Sequence, residues 1–312
     1  MGTPDFAVQS LREIVEAGYN VVAVVTMPDK PAGRGRQLQM SPVKVYALEK
    51  GLIVLQPEKL KAPEFIETLD EIKPDLGVVV AFRMLPEMVW NLPKLGTVNL
   101  HGSLLPQYRG AAPINWAIIN GETETGYTIF QLQHQIDTGD VLAQEKMPIS
   151  LEDNAGSIHD KMMVAGAKLL VKTINSIAEG TVKSIAQSKL PELTVLKPAP
   201  KIFRETCQLK PELNVSNAYN LIRGLSPYPA AWAKFSNQEN EIREVKIFES
   251  SIQSEIKVEN GKILSDNKSY IYIGFQDGTL SIDEIQPQGK RAMKVREYLA
   301  GNKFNDDWCL IS

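Results

Sequence analysis

The sequence predicts an α/β protein: a Rossmann-like, doubly wound, mostly parallel sheet, followed by a small OB-like β-barrel domain. Three observations carry this. Through the first two-thirds of the chain, apolar runs of strand length alternate with amphipathic helical stretches, the order that sets parallel strands beside crossover helices. The alternation stops at KLPELTVLKPAP (189–200), where three prolines mark a linker. Beyond it come short alternating strands, with turn signals at Asn260-Gly261 and Asp277-Gly278. The expected organisation is one domain over 1–188, a linker over 189–203 and a second domain over 204–312.

Thr3-Pro4-Asp5 opens the first helix, with Thr3 as N-cap, Pro4 in the first turn and Asp5 at the positive helix end. Phe6, Leu11, Ile14 and Val15 form its apolar stripe, and Gly18 ends it. The continuous apolar run at 21–25 reads as a strand covered on both faces. A strand at 53–55, a helix around 64–72 and strands at 76–81 and 97–101 follow, then a long helix over 155–178 ended by Gly180. The second domain holds a helix around 217–223 and strands at 244–248, 270–274 and 279–285. A doubly wound sheet has a strand, usually a central one, ahead of its first helix. Here that first strand is missing, because the helix starts almost at Met1. Either translation begins upstream of Met1 or the sheet lacks a middle strand.

A length of 312 residues suits two domains, and 43% hydrophobic with 23% charged residues suits a soluble protein. No apolar run reaches the ~20 residues that span a bilayer. The opening MGTPDFAVQS has neither the basic nor the apolar region of a signal peptide. Cys207 and Cys309 make no disulfide framework and no zinc site. A cytoplasmic location is therefore the default, and a monomer with no membrane partner and no metal is expected. A net charge of −3 confines any nucleic-acid contact to local basic patches.

The densest polar cluster in an apolar setting is NLHGSLLP (99–106). On a strand, Asn99 and His101 share a face. An amide can hold a developing oxyanion and an imidazole can move a proton. A hydrogen-bonded histidine at a capped strand end is the plainer reading. In IDTGD (136–140), Asp137 could orient that histidine, or serve an ordinary turn. No serine or cysteine sits in a recognisable nucleophile elbow, which favours direct transfer over a covalent intermediate. His134 and His159 lack metal-ligand spacing. The Gly/Pro-rich loop from Pro28 spaces Lys30, Arg34, Arg36 and Lys44 as a phosphate-binding loop would, without a Walker pattern; an exposed basic loop is the alternative. Lys290 and Arg291, in QPQGKRAMK (286–294), could meet phosphates or solvent.

Five segments together resemble the methionyl-tRNA formyltransferases over nearly the whole chain: GTPDFA (2–7), PDKPAGRGRQ with SPVK (28–44), NLHGSLLPQYRGAAPI (99–114), IDTGD (136–140) and QPQGKRAM (286–293). The 99–114 stretch is specific to folate-dependent formyltransferases. The 28–44 loop and the second domain narrow this to the tRNA-directed branch. The resemblance implies a catalytic trio of Asn99, His101 and Asp137, with Asp137 biasing His101 towards its charged form. It implies 10-formyltetrahydrofolate as co-substrate, with Ser103, Leu104, Leu105 and Pro106 in the folate signature. The resemblance places Phe82 and Arg83 beside the folate pocket, where many relatives have Tyr-Gly. It further implies contacts to charged initiator methionyl-tRNA from Lys30, Arg34, Arg36, Lys44, Lys290, Arg291 and an OB-like domain at 204–312, and formylation of that tRNA's α-amine for translation initiation. Two alternatives remain: a formyltransferase of the same fold acting on a small amine (glycinamide ribonucleotide or an amino sugar), and a non-catalytic RNA-binding relative.

Overall fold

The computed structural model describes residues 1–32, 37–190 and 195–312. The chain divides into two compact units. One comprises Met1–Gly110, Thr125–Met147 and His159–Pro198; the other comprises Ala111–Glu124, Pro148–Ile158 and Ala199–Ser312.

Up to residue 180 the elements run α1 (Asp5–Glu16), β1 (Val24–Val25), β2 (Lys30–Ala32), β3 (Gln37–Gln39), α2 (Pro42–Glu49), β4 (Val54–Leu55), α3 (Pro63–Ile72), β5 (Gly77–Val80), α4 (Glu87–Trp90), β6 (Thr97–His101), α5 (Pro113–Ile119), β7 (Glu124–Gln131), β8 (Val141–Pro148) and α6 (Ala155–Ala178). In the first unit β5, β6, β7 and β8 form a sheet in that order, parallel between β5 and β6 and antiparallel between β6 and β7. β1 and β4 form a separate parallel pair. The Rossmann-like alternation is thus present, with a mixed sheet. Val25, Phe65, Leu69, Val79 and Val89 pack as one apolar cluster beside it. Helix α6 comes close to β6 at Gly166, where a Cβ would lie 3.1 Å from the Leu100 side chain.

Only Met1 and Gly2 occupy the place expected for a strand ahead of α1. The Met1 amine donates to Val78 O (2.7 Å), Val80 N donates to Met1 O (3.0 Å), and Gly2 N donates to Val25 O (3.0 Å). These two residues therefore stitch β5 to β1. A cavity of about 520 Å³ adjoins them, lined by apolar side chains that include Ile14, Val22, Leu76, Val78 and Ile174. The expected strand at 21–25 shortens to Val24–Val25; residues 21–23 line the cavity and lie in no ladder. Full burial pushes the Met1 amine down to about 5.

Other expectations shift locally. Pro4, not Thr3, caps α1, and Pro4 O accepts Ala7 N–H at 2.9 Å. Proline loses no donor at that position, since it has none. Gly18 ends the helix in the left-handed region. The basic loop is not wholly irregular, because β2 and β3 pair antiparallel within it. Ser41 then caps α2 by accepting Lys44 N–H. Arg34 and Arg36 lie outside the described residues.

The second unit continues with α7 (Val215–Leu225), β9 (Ala231–Ser236), β10 (Ile242–Gln253), β11 (Ile263–Ser265), β12 (Ile271–Phe275), β13 (Gly278–Pro287), β14 (Met293–Lys294), α8 (Val295–Gly301) and β15 (Cys309–Ile311). Its sheet runs β11-β12-β13-β10-β9-β15 and curls back on itself. Leu310 N donates to Gly261 O and Ile263 N to Trp308 O, closing a nearly complete antiparallel barrel. Closure removes the exposed edges an open sheet would offer. Phe235, Ile247, Ile273, Tyr298 and Trp308 fill its core. Asn214 caps α7, whose Val215, Ala218, Leu221, Ile222 and Leu225 face that core at helical spacing. The β12–β13 turn is Gln276-Asp277, so Gly278 already belongs to β13. Asn260-Gly261 makes no hairpin; the β11–β12 hairpin turns at Asp266, whose carboxylate accepts the N–H groups of Lys268, Ser269 and Tyr270. Among the described residues, no helix is long and apolar enough to cross a membrane.

Candidate active site

β6 carries the centre of the site. It lies between β5 and β7, with Asn99 opposite Phe130 and His101 opposite Thr128. Alternation along the strand sets Asn99 and His101 on one face. His101 is buried, its ring edge-on to Phe130. Its Nε2 lies 3.0 Å from Tyr108 O. A carbonyl can only accept, so Nε2 carries the proton and Nδ1 is bare in the neutral ring. Nδ1 faces Asp137 Oδ2 at 3.9 Å, too far for a hydrogen bond but close enough for a charge to be felt.

Asp137 is held elsewhere: Gly110 N–H donates to Oδ2 at 2.8 Å, and the Asp137 backbone is left-handed. Burial pushes His101 below the usual histidine value, while the Asp137 carboxylate and the Tyr108 carbonyl pull it back. Burial wins, so His101 is neutral near pH 7. The bias towards the charged form expected from Asp137 is outweighed because the aspartate stands beyond hydrogen-bond reach. Asn99 is half-buried, and its amide has no hydrogen-bond partner among the described residues.

The turn after β6 is tightly bound. Thr128 Oγ1 donates to Ser103 O and accepts Leu105 N–H, while Gln144 donates to both Leu105 O and Thr128 Oγ1. Ser103 is fully buried, its hydroxyl spent on Gln107 O. Leu105 is buried; Leu104 and Pro106 are half-buried. Arg83 donates to Pro57 O and Glu58 O, and its guanidinium lies 5.7 Å from the Phe82 ring. Val195 and Lys197, within the expected linker, hydrogen-bond Gln107 and Tyr108.

Among the basic residues, Lys30, Lys290 and Arg291 are exposed. Arg291 pairs with Glu297. Lys44 pairs with Asp29, which lowers the Asp29 carboxyl. Tyr108, Arg109 and Gly110 fall within the 99–114 stretch but had no role assigned to them, and Thr128, Gln144 and Gln187 carried no sequence signal; all six hydrogen-bond within the site. Gly139 had a partial signal, as the Gly of Asp-Thr-Gly. A Cβ there would stand 1.6 Å from Gln131 O, a backbone atom that cannot swing away. Gly139→Ala is expected to cost about 1–3 kcal/mol by forcing the Asp137 loop outwards. An unchanged unfolding midpoint would contradict this.

Comparison with known proteins shows the family of the chain. The family described as "Formyl transferase" matches residues 1–174, and "Formyl transferase, C-terminal domain" matches 201–303. The chain is 55% identical over 309 residues to a methionyl-tRNA formyltransferase of Bacteroides thetaiotaomicron, covering 99% of this chain and 96% of that one. It is 45% identical over 310 residues to that of Porphyromonas gingivalis strain W83, covering 98% and 96%. A crystal structure of a sugar 3N-formyl transferase, determined in the presence of dTDP and 5-N-formyl-THF, shares the fold at TM-score 0.66 and 22% identity, covering 93% of this chain and 97% of that one. With both halves matched and close relatives aligned almost end to end, the chain belongs to the methionyl-tRNA formyltransferase family.

Proposed function

We propose that the protein transfers the formyl group of 10-formyltetrahydrofolate to the α-amine of methionyl initiator tRNA, with Asn99, His101 and Asp137 as the working groups. The observation that carries this reading is the Asn99 amide: a half-buried donor with no partner among the described residues, on the same strand face as a buried neutral histidine. A free donor there suits an oxygen whose charge grows during reaction.

The neutral amine attacks the formyl carbon, forming the new C–N bond and a tetrahedral oxyanion. Asn99 donates to that oxygen. The attacking nitrogen then carries a surplus proton, and His101 Nδ1 is the bare base that accepts it. The imidazolium faces the Asp137 carboxylate, which favours it. As the intermediate collapses, the bond to the folate nitrogen breaks and the proton passes to that leaving nitrogen. Ser103, Leu104, Leu105, Pro106, Phe82 and Arg83 would shape the folate side. The hydroxyl bond of Ser103 to Gln107 O and the guanidinium bonds of Arg83 to Pro57 O and Glu58 O support a role for these two in holding that wall rather than in direct charge contact.

The catalytic domain would occupy 1–188, with the barrel domain at 204–312 binding tRNA. Lys30, Arg34, Arg36, Lys44, Lys290 and Arg291 would meet phosphates, which makes binding salt-dependent. Lys290→Ala is expected to lower the slope of log K against log salt by about one. Filter binding of charged initiator tRNA at several salt concentrations checks this. Salt-insensitive binding, or none, would favour the small-amine reading instead.

A further inference from the structure

The 3₁₀ turn Gln187–Lys189 lies far along the chain from the trio, yet Gln187 is buried and all of its amide is used. Its Nε2 donates to Asp137 O and Gly139 O, both at 2.8 Å. Its Oε1 accepts from Arg109 Nε (3.1 Å) and Nη2 (2.5 Å). Arg109 stands between Tyr108, whose carbonyl holds His101 Nε2, and Gly110, whose N–H holds the Asp137 carboxylate. One amide thus clips together the two turns that place His101 and Asp137. The turn itself is anchored next to β8, by the paired bonds between Val141 and Ile185.

We propose that Gln187 is a positioning residue for formyl transfer: by bridging the 137–139 loop to Arg109 it sets the gap between the Asp137 carboxylate and the His101 ring. This rests on the trio reading given above. The groups facing His101 are the Asp137 carboxylate, the Tyr108 carbonyl and the Phe130 ring. If the Asp137 loop moves away, His101 loses the charge that favours its protonated form and titrates lower. Glutamate at 187 keeps the volume and the acceptor for Arg109 but offers no N–H, setting a carboxylate against two carbonyls. A role in filling space alone would tolerate it.

The test compares Gln187→Ala, Gln187→Glu and Asp137→Asn. It measures kcat, both KM values and NMR titration of the three histidines. Both Gln187 variants are expected to lose about 10- to 100-fold in kcat with KM little changed, since misplacing reacting groups by about 1 Å can cost about 100-fold. The His101 signal in both should titrate lower than in the parent. Wild-type kcat and His101 titration in Gln187→Glu would overturn the inference, even if Gln187→Ala fails to fold. If Asp137→Asn itself keeps full turnover, the trio reading fails instead. If Asp137→Asn collapses turnover but Gln187→Glu does not, only the role of Gln187 is lost.

Discussion

Replacing His101 by alanine is expected to lower kcat about 10²–10⁴-fold while folate and tRNA still bind. The attacking amine must shed a proton that the leaving nitrogen must gain, and Nδ1 of His101 is the bare base the geometry offers. Asn99→Ala removes one oxyanion donor and is expected to cost about 10²–10³-fold, or ~3–4 kcal/mol of barrier. The acid limb of kcat that belongs to His101 should lie below pH 6.5, because burial lowers that group. The same shift affects stability. A base lowered on folding leaves the unfolded state holding more protons, so this contribution is present above the unfolded value and is lost as pH falls from 6.5 towards the folded one. Steady-state formylation across pH checks both variants, and near-normal turnover in both would remove the trio from the mechanism.

Adding about five strand-forming residues ahead of Met1 is expected to raise the melting temperature by roughly 5–10 °C, reflecting a net gain of about 2–3 kcal/mol. The slot is ready: an apolar cavity of about 520 Å³ adjoins Met1, and Met1 already makes ladder-type bonds to Val78 and Val80. Each buried β-branched side chain contributes ~1.5–3 kcal/mol, and ordering each residue costs ~1.5, so the net is a modest fraction of the gross burial. A second effect has a definite sign. The Met1 amine is lowered from 8.0 to about 5, so in the 312-residue chain stability falls as pH drops from 8 towards 5, where only the unfolded chain takes up the proton. An extension turns that amine into an amide and should flatten this slope. Calorimetry of both chains at pH 6 and pH 8 checks the two effects together. An extended chain that melts no higher, with the slope intact, would mean the cavity does not accept a strand.

The helices and the strands of the first part of the chain were legible where local chemistry acts alone. The stripe of α1, the long α6 ended near Gly180 and the polar-ended β6 follow from periodicity and punctuation. Strand lengths were not, because a strand is defined by its neighbour. Residues 21–23 are as apolar as 24–25 but face a cavity rather than a partner. The turn at Asp266 was missed because its signal is a side chain accepting from the next few N–H groups, not a glycine. In the site, Asn99 and His101 could be paired from strand alternation. The supports could not, since Arg109, Gln187 and Gln144 are common polar residues whose meaning arises only when distant turns meet.

The most direct test is a single-turnover assay of formyl transfer from 10-formyltetrahydrofolate, with charged initiator tRNA, glycinamide ribonucleotide and an amino-sugar nucleotide as competing acceptors. Formylation of the methionyl α-amine, abolished or strongly slowed by Asn99→Ala and His101→Ala, is the expected result. Transfer to a small amine in preference to the tRNA, or tRNA binding with no transfer to any acceptor, would contradict it.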